Sequence, residues 1–177
     1  MHMIKKIWNF ITTAVLVIML MLVAILYIPK FLGISPLIVL SGSMEPVYPT
    51  GSLLYVNQHN LDNIQIGDAI TFYIDENTLV THRVVEIDEI SCTYITKGDA
   101  NEVNDGSPVS FDDVLGVPII NIPKLGIFAD WLSHKSGKII YVTVIIVVTI
   151  LMFMGDIIWS DDNEKENENE NDKEEQN

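Results

Sequence analysis

From Ile7 to Ile28 the chain reads IWNFITTAVLVIMLMLVAILYI, 22 residues without a charged side chain. A helix that is apolar on every side has no face to offer water, so a run like this needs either a large core or a lipid bilayer. Its length is what a helix needs to cross a hydrocarbon layer about 30 Å thick. A second run, Ile139–Met154 (IIYVTVIIVVTILMFM), holds 16 uncharged residues between Lys138 and Asp156. Lys138 can snorkel, and Ile157, Ile158 and Trp159 extend the apolar character. The sequence therefore predicts two spanning helices, at 7–28 and 139–159.

Lys5 and Lys6 would also suit the start of a cleaved secretory signal. The apolar stretch exceeds the roughly 7–15 residues of such signals, and no A-x-A-like site follows, so an uncleaved anchor is expected. Two spans place both ends on one side. The positive-inside rule puts residues 1–6 in the cytoplasm and 29–138 outside it. Net charge is −14, with fourteen acids against six bases in the middle region and no basic stripe, so nucleic acid is not expected as a partner. Residues 160–177, SDDNEKENENENDKEEQN, hold nothing apolar to bury and read as a disordered acidic tail. The single Cys92 excludes an intrachain disulfide.

Between the spans, FLGISPLIVL (31–40) stays apolar but is broken by Gly33 and Pro36, which suits a strand or a membrane-skimming segment. SLLYVN, DAITFYI, TLVTHRVVEI, CTYITK and VLGVPIINIP follow, rich in β-branched and aromatic residues and separated by turn formers. Short strands at such spacing predict a mainly β domain curled into a barrel or sandwich. Phe128 and Trp131, just before the second span, fit aromatic anchors at a membrane interface.

LSGSMEPVYPTG (40–51) displays two serines around a glycine immediately after the apolar segment. A serine hydroxyl becomes a useful nucleophile only with a base in reach. Alternation along TLVTHRVVEI puts Val80, His82 and Val84 on one face and Thr81, Arg83 and Val85 on the other, which gives an imidazole a dry setting. KGDANEVNDG then offers Asp99, Glu102 and Asp105 as acids able to orient that imidazole. Each piece also has a plainer use. Ser41 and Ser43 suit an ST-turn, His82 a satisfied core histidine, and Asp99 and Asp105 ordinary turn formers. No second histidine stands at ligand spacing from His82, so no metal site is expected.

Taken together, SGSMEPVYPTGSLLYV (41–56), IGDAITFYI (66–74), LVTHRVVEI (79–87) and KGDANEVNDG (97–106) followed by VLGVPI (114–119) resemble the type I signal peptidases, in that family's order. These are membrane serine proteases that remove signal peptides from exported proteins. Where bacterial-type members have a lysine base this chain has His82, which is similar to the ER-type, Ser-His-Asp branch. The resemblance implies Ser43 as nucleophile, His82 as general base and Asp105 as the triad acid. It implies Asp99 as a supporting acid, and the Ser41 hydroxyl with the Ser43 backbone N–H as oxyanion hole. Lys97 stays open as an alternative base. The resemblance implies secretory preproteins as substrates, small side chains before the cut and no cofactor. It also implies a two-span protein of the cell membrane, its catalytic domain on the extracytoplasmic side against the lipid bilayer. A non-catalytic membrane adaptor, or a processing peptidase dedicated to few substrates, are the other readings these residues allow.

Overall fold

The computed structural model describes the backbone of residues 2–59, 61 and 63–174, and side chains as far as residue 155. The chain divides into two compact units, one formed by residues up to Ala24 with those from Lys135 onward, the other by Ile25–His134.

The first unit is helical. The two segments long and apolar enough to cross a membrane are Met3–Leu32, which runs from α1 (His2–Tyr27) into the turn after it, and Lys135–Gly155, within α3 (Lys135–Glu174). Three threonine hydroxyls are satisfied within their own helices, as a bilayer would demand. Thr12, Thr143 and Thr149 each donate to the carbonyl four residues back, at 3.0, 2.8 and 2.8 Å. The two helices also bond to each other. Trp8 Nε1–H donates to the Leu151 carbonyl at 3.2 Å, and the Tyr141 hydroxyl donates to the Met19 carbonyl. The helix runs on to Glu174, through residues that the sequence reading left as a disordered tail; 175–177 lie outside the described residues. Glu and Lys are good helix formers, and extending a helix already nucleated costs far less than starting one.

The second unit is built on an antiparallel sheet. A 3₁₀ turn (Ile28–Leu32) ends at Gly33, whose φ of 68° is a left-handed conformation that glycine adopts without strain. The strands are β1 (Ile34–Ile38), β2 (Leu53–Asn57), β3 (Ala69–Asp75), β4 (Thr78–Asp88), β5 (Thr93–Lys97), β6 (Val109–Ser110) and β7 (Val114–Ile122). So 31–40 resolves into a helical turn and a strand, and Pro36 is tolerated because β1 lies on the sheet's edge. The order is β1-β2-β7-β3-β4-β5-β6. Among the described residues β1 and two-residue β6 stand at the ends of this order.

β7 joins the two halves of the sheet. Val114 and Gly116 pair with β3, and Val117–Ile122 pair with β2. Ile70, Phe72, Val84, Tyr94, Val109 and Val114 form the core beneath β3–β7. Burial of each large apolar side chain contributes about 1.5–3 kcal/mol. α2 (Leu125–Ser133) carries Phe128 and Trp131, their ring centroids 6.0 Å apart, and packs on β1 and β2.

Candidate active site

Strand β4 carries polar chemistry on both faces, because successive side chains point in opposite directions. His82 turns inward beside Val84, only 8% exposed, with the Phe72 ring edge-on at 6.4 Å. Its Nδ1 lies 2.6 Å from Asp105 Oδ2. The same oxygen accepts the Thr96 hydroxyl at 2.6 Å, while the Asp105 backbone N–H donates to the Thr96 carbonyl at 2.8 Å. β5 therefore fixes Asp105 twice and presents it to the neighbouring strand. When the carboxylate is ionised it can only accept, and a neutral ring bonded this way donates from Nδ1 and has Nε2 as its acceptor.

Arg83 turns the other way. Its Nε and one terminal nitrogen donate to the two oxygens of Asp99 at 2.7 and 2.6 Å, and the other donates to the Gly67 carbonyl at 2.7 Å. This bidentate bond to Asp99 is the main cause holding the guanidinium pKa above its ordinary value. The loop bearing Asp99 lies directly on the Ser43 backbone. Ala100 N–H donates to the Ser43 carbonyl at 2.8 Å, and Asp99 N–H points to Met44 Sδ at 3.4 Å. A Cβ on Gly98 would stand 2.6 Å from the Ser43 carbonyl oxygen, so no side chain fits there.

Ser43 sits in a turn closed by Glu45 N–H to Gly42 O at 3.0 Å and by Tyr48 N–H to Met44 O at 2.9 Å. Met44, 2% exposed, buries the turn's apolar anchor. The Glu45 carboxylate accepts from the Thr50 amide and hydroxyl at 3.3 and 3.1 Å. The Ser41 and Ser43 hydroxyls are 3.4 Å apart. Both open into a cleft of about 470 Å³ lined also by 37–40, 77–81, Tyr48, Leu54 and Thr71. Burial raises the Tyr48 phenol pKa, with Asp99's charge adding to the effect and Arg83's opposing it.

The expected residues thus fall into three groups. His82 and Asp105 are brought together, and so are Ser41 and Ser43. Asp99 goes to Arg83 and reaches the Ser43 turn through its backbone. Among the described residues no hydrogen bond joins Ser43 to His82. Lys97 pairs with Arg83 in the ladder, on the face away from His82. His59 packs against Gly33 and His134 bonds the Asp130 carbonyl. No cluster among the described residues has the make-up to hold a metal ion.

Comparison with known proteins bears on what this arrangement belongs to. No family model matches the chain. It is 45% identical over 89 residues to signal peptidase I W of Bacillus subtilis, covering 49% of this chain and 47% of that protein. It is 38% identical over 76 residues to the human signal peptidase complex catalytic subunit SEC11C, covering 40% of each. To the human "Putative signal peptidase complex catalytic subunit SEC11B" it is 33% identical over 116 residues, 57% of this chain and 70% of that protein. The chain belongs to the type I signal peptidase family. In the first two matches it spans less than half the length of the relative.

Against that family background, two contributors were not assigned from sequence. Alternation puts Arg83 on the face opposite His82, and as the chain's one arginine it was a usable signal for a partner among the acids of 97–106. Thr96 carried no signal beyond its place on the strand next to β4. Its contact with Asp105 depends on how the 98–105 loop folds back.

Proposed function

We propose that this chain is a membrane-bound serine endopeptidase that removes N-terminal signal peptides from secretory preproteins. Ser43 is its nucleophile, His82 its general base and Asp105 the acid that orients the base. The observation that carries this reading is the 2.6 Å contact between His82 Nδ1 and Asp105 Oδ2, which leaves Nε2 as the imidazole's free acceptor. A buried histidine kept only for packing has no need of a carboxylate held from both sides by β5.

Nε2 takes the Ser43 proton as Oγ attacks the carbonyl carbon at the end of the signal peptide. The Ser41 hydroxyl and the Ser43 backbone N–H face the oxyanion that forms. A lost donor of that kind typically lowers turnover by about 10²–10³. The imidazolium returns its proton to the departing amine as the C–N bond breaks. A water deprotonated by the same nitrogen then attacks the acyl-serine ester and releases the signal peptide with a free carboxylate. Asp99, through Arg83 and its loop, supports the turn that presents Ser43. The two apolar helices anchor the enzyme in the cell membrane, with the sheet unit outside the cytoplasm. Phe31, Leu32 and Leu40, which are 89, 63 and 81% exposed, support contact of that unit with the lipid surface.

The test is cleavage of a secretory precursor by membranes holding wild type, Ser43→Ala or Asp105→Ala, with mass spectrometry to locate the cut. A cut after a small residue beyond the signal's apolar run, lost in both variants, is the expected result. Full cleavage by Ser43→Ala would remove Ser43 as nucleophile.

A further inference from the structure

Strand β7 shifts its register just before it reaches the serine turn. Val56 pairs with Pro118 and Tyr55 with Ile120, so Ile119 is one residue more than the ladder uses. A bulge of this kind re-aims the side chains that follow it. Beyond it Asn121 stands opposite Leu54, and directly opposed residues share a face. Leu54 lines the cleft that also holds Ser43. From that side the Asn121 Nδ2–H donates to the Val47 carbonyl at 3.2 Å. Val47 lies at the far end of the turn that begins on Ser43, and the backbone bonds Glu45 N–H to Gly42 O and Tyr48 N–H to Met44 O join the two ends. The amide therefore ties the serine's turn to the middle of the sheet.

The other end of the same amide is unfavourable. Asn121 Oδ1 is buried without a hydrogen-bond partner among the described residues. A buried acceptor left unpaired is destabilising. The bond on the Nδ2 side is a single contact at 3.2 Å to a residue that is itself 46% exposed. Leucine, of similar size, would leave the sheet at least as stable. What leucine cannot do is hold Val47.

We infer that Asn121 is a positioning residue for the Ser43 hydroxyl, acting through Val47 and the turn between them; this rests on Ser43 being the nucleophile. Asn121→Leu in the full chain, assayed on a secretory precursor, is expected to lower kcat about tenfold with KM unchanged. Its Tm is expected to equal or exceed that of wild type. Hydrogen exchange at the Glu45 and Tyr48 amides is expected to speed up while the amides of β3–β5 stay protected. Ser52→Ala is the control, since it removes another buried, unpartnered side-chain oxygen that holds no loop. It should leave kcat and turn exchange as they are.

Unchanged exchange at Glu45 and Tyr48 in Asn121→Leu overturns the inference whatever the activity does. So does a fall in kcat that runs in parallel with a fall in Tm, which is what a merely structural side chain gives. If wild type does not cleave the precursor, the peptidase reading fails and this role fails with it. If wild type cleaves and Asn121→Leu is as fast, only the positioning role is lost.

Discussion

His82 and Arg83 are neighbours in sequence and opposites in structure. Each meets one carboxylate from the loop that follows β5, at the same 2.6 Å, yet the two pairs are of different kinds. His82 with Asp105 is an ionisable pair on the inner face, in which one ring nitrogen is occupied and the other left available. Arg83 with Asp99 is a bidentate pair with both carboxylate oxygens engaged by the guanidinium. The first suits proton transfer, and the second suits holding a loop in place. One strand thus supplies a chemical contact and a mechanical one by nothing more than its pleat.

Replacing each acid by its amide tests that division most severely. Asp105→Asn is expected to lower kcat about 10²–10⁴-fold, because the amide can donate where the imidazole needs an acceptor and so disturbs its tautomer. Asp99→Asn is expected to cost about tenfold in kcat together with about 2 kcal/mol of stability, between an exposed ion pair and a buried one. Precursor cleavage and thermal unfolding on both variants decide it. If Asp99→Asn proved the slower enzyme, the two acids would have to exchange roles.

Arg83→Lys is milder. Lysine keeps the charge but not the fork, so it cannot bond both Asp99 oxygens and the Gly67 carbonyl at once. Tm should fall by a few degrees and kcat about fivefold, with KM unchanged. A variant identical to wild type would mean that the charge matters and the geometry does not. Milder again is Thr96→Val, which removes one donor from Asp105 Oδ2 and leaves the His82 bond. About a threefold loss of kcat with stability within about 1 kcal/mol is expected; a loss as large as that of Asp105→Asn would make Thr96 part of the chemistry itself.

The sequence made the strands visible where β-branched runs met clear turn formers, and alternation alone placed His82 with Val84 and Arg83 on the other side. It did not reveal β6, because two residues have no period, nor α2, which read only as the approach to the second apolar run. It could not tell that β7, last in the chain, lies between β2 and β3, since that pairing is decided by packing across some sixty residues of sequence. The same limit hid Arg83–Asp99, Thr96–Asp105 and Asn121–Val47. Each is a side-chain bond whose partner is chosen by how a loop or bulge folds back. Composition alone does not say where an established helix stops, and α3 runs on beyond the second apolar segment to Glu174.

Asp75, the last residue of β3, and Asp88, the last of β4, sharpen the comparison by showing what a carboxylate does when it only turns the chain. Asp75 Oδ1 accepts from the Asn77 and Thr78 amides at 2.9 and 2.8 Å, and Asp88 Oδ1 from Ile90 and Ser91 at 3.0 Å each. These bonds favour the charged form, so both pKa values lie below the usual carboxylate value, with the amides of Asn77 and Ser91 the leading causes. A folded-state pKa lowered in this way stabilises the fold fully above the unfolded value of about 3.9, and the gain is lost as pH falls through the folded one. Asp75→Asn should therefore unfold at a slightly lower temperature than wild type at pH 7 and converge on it in acid, with cleavage unaffected. A Tm difference that stayed constant from pH 7 down to about pH 2 would show that the turn depends on the shape of the side chain and not on its charge. Asp75 would then differ from Asp99 in kind as well as in degree.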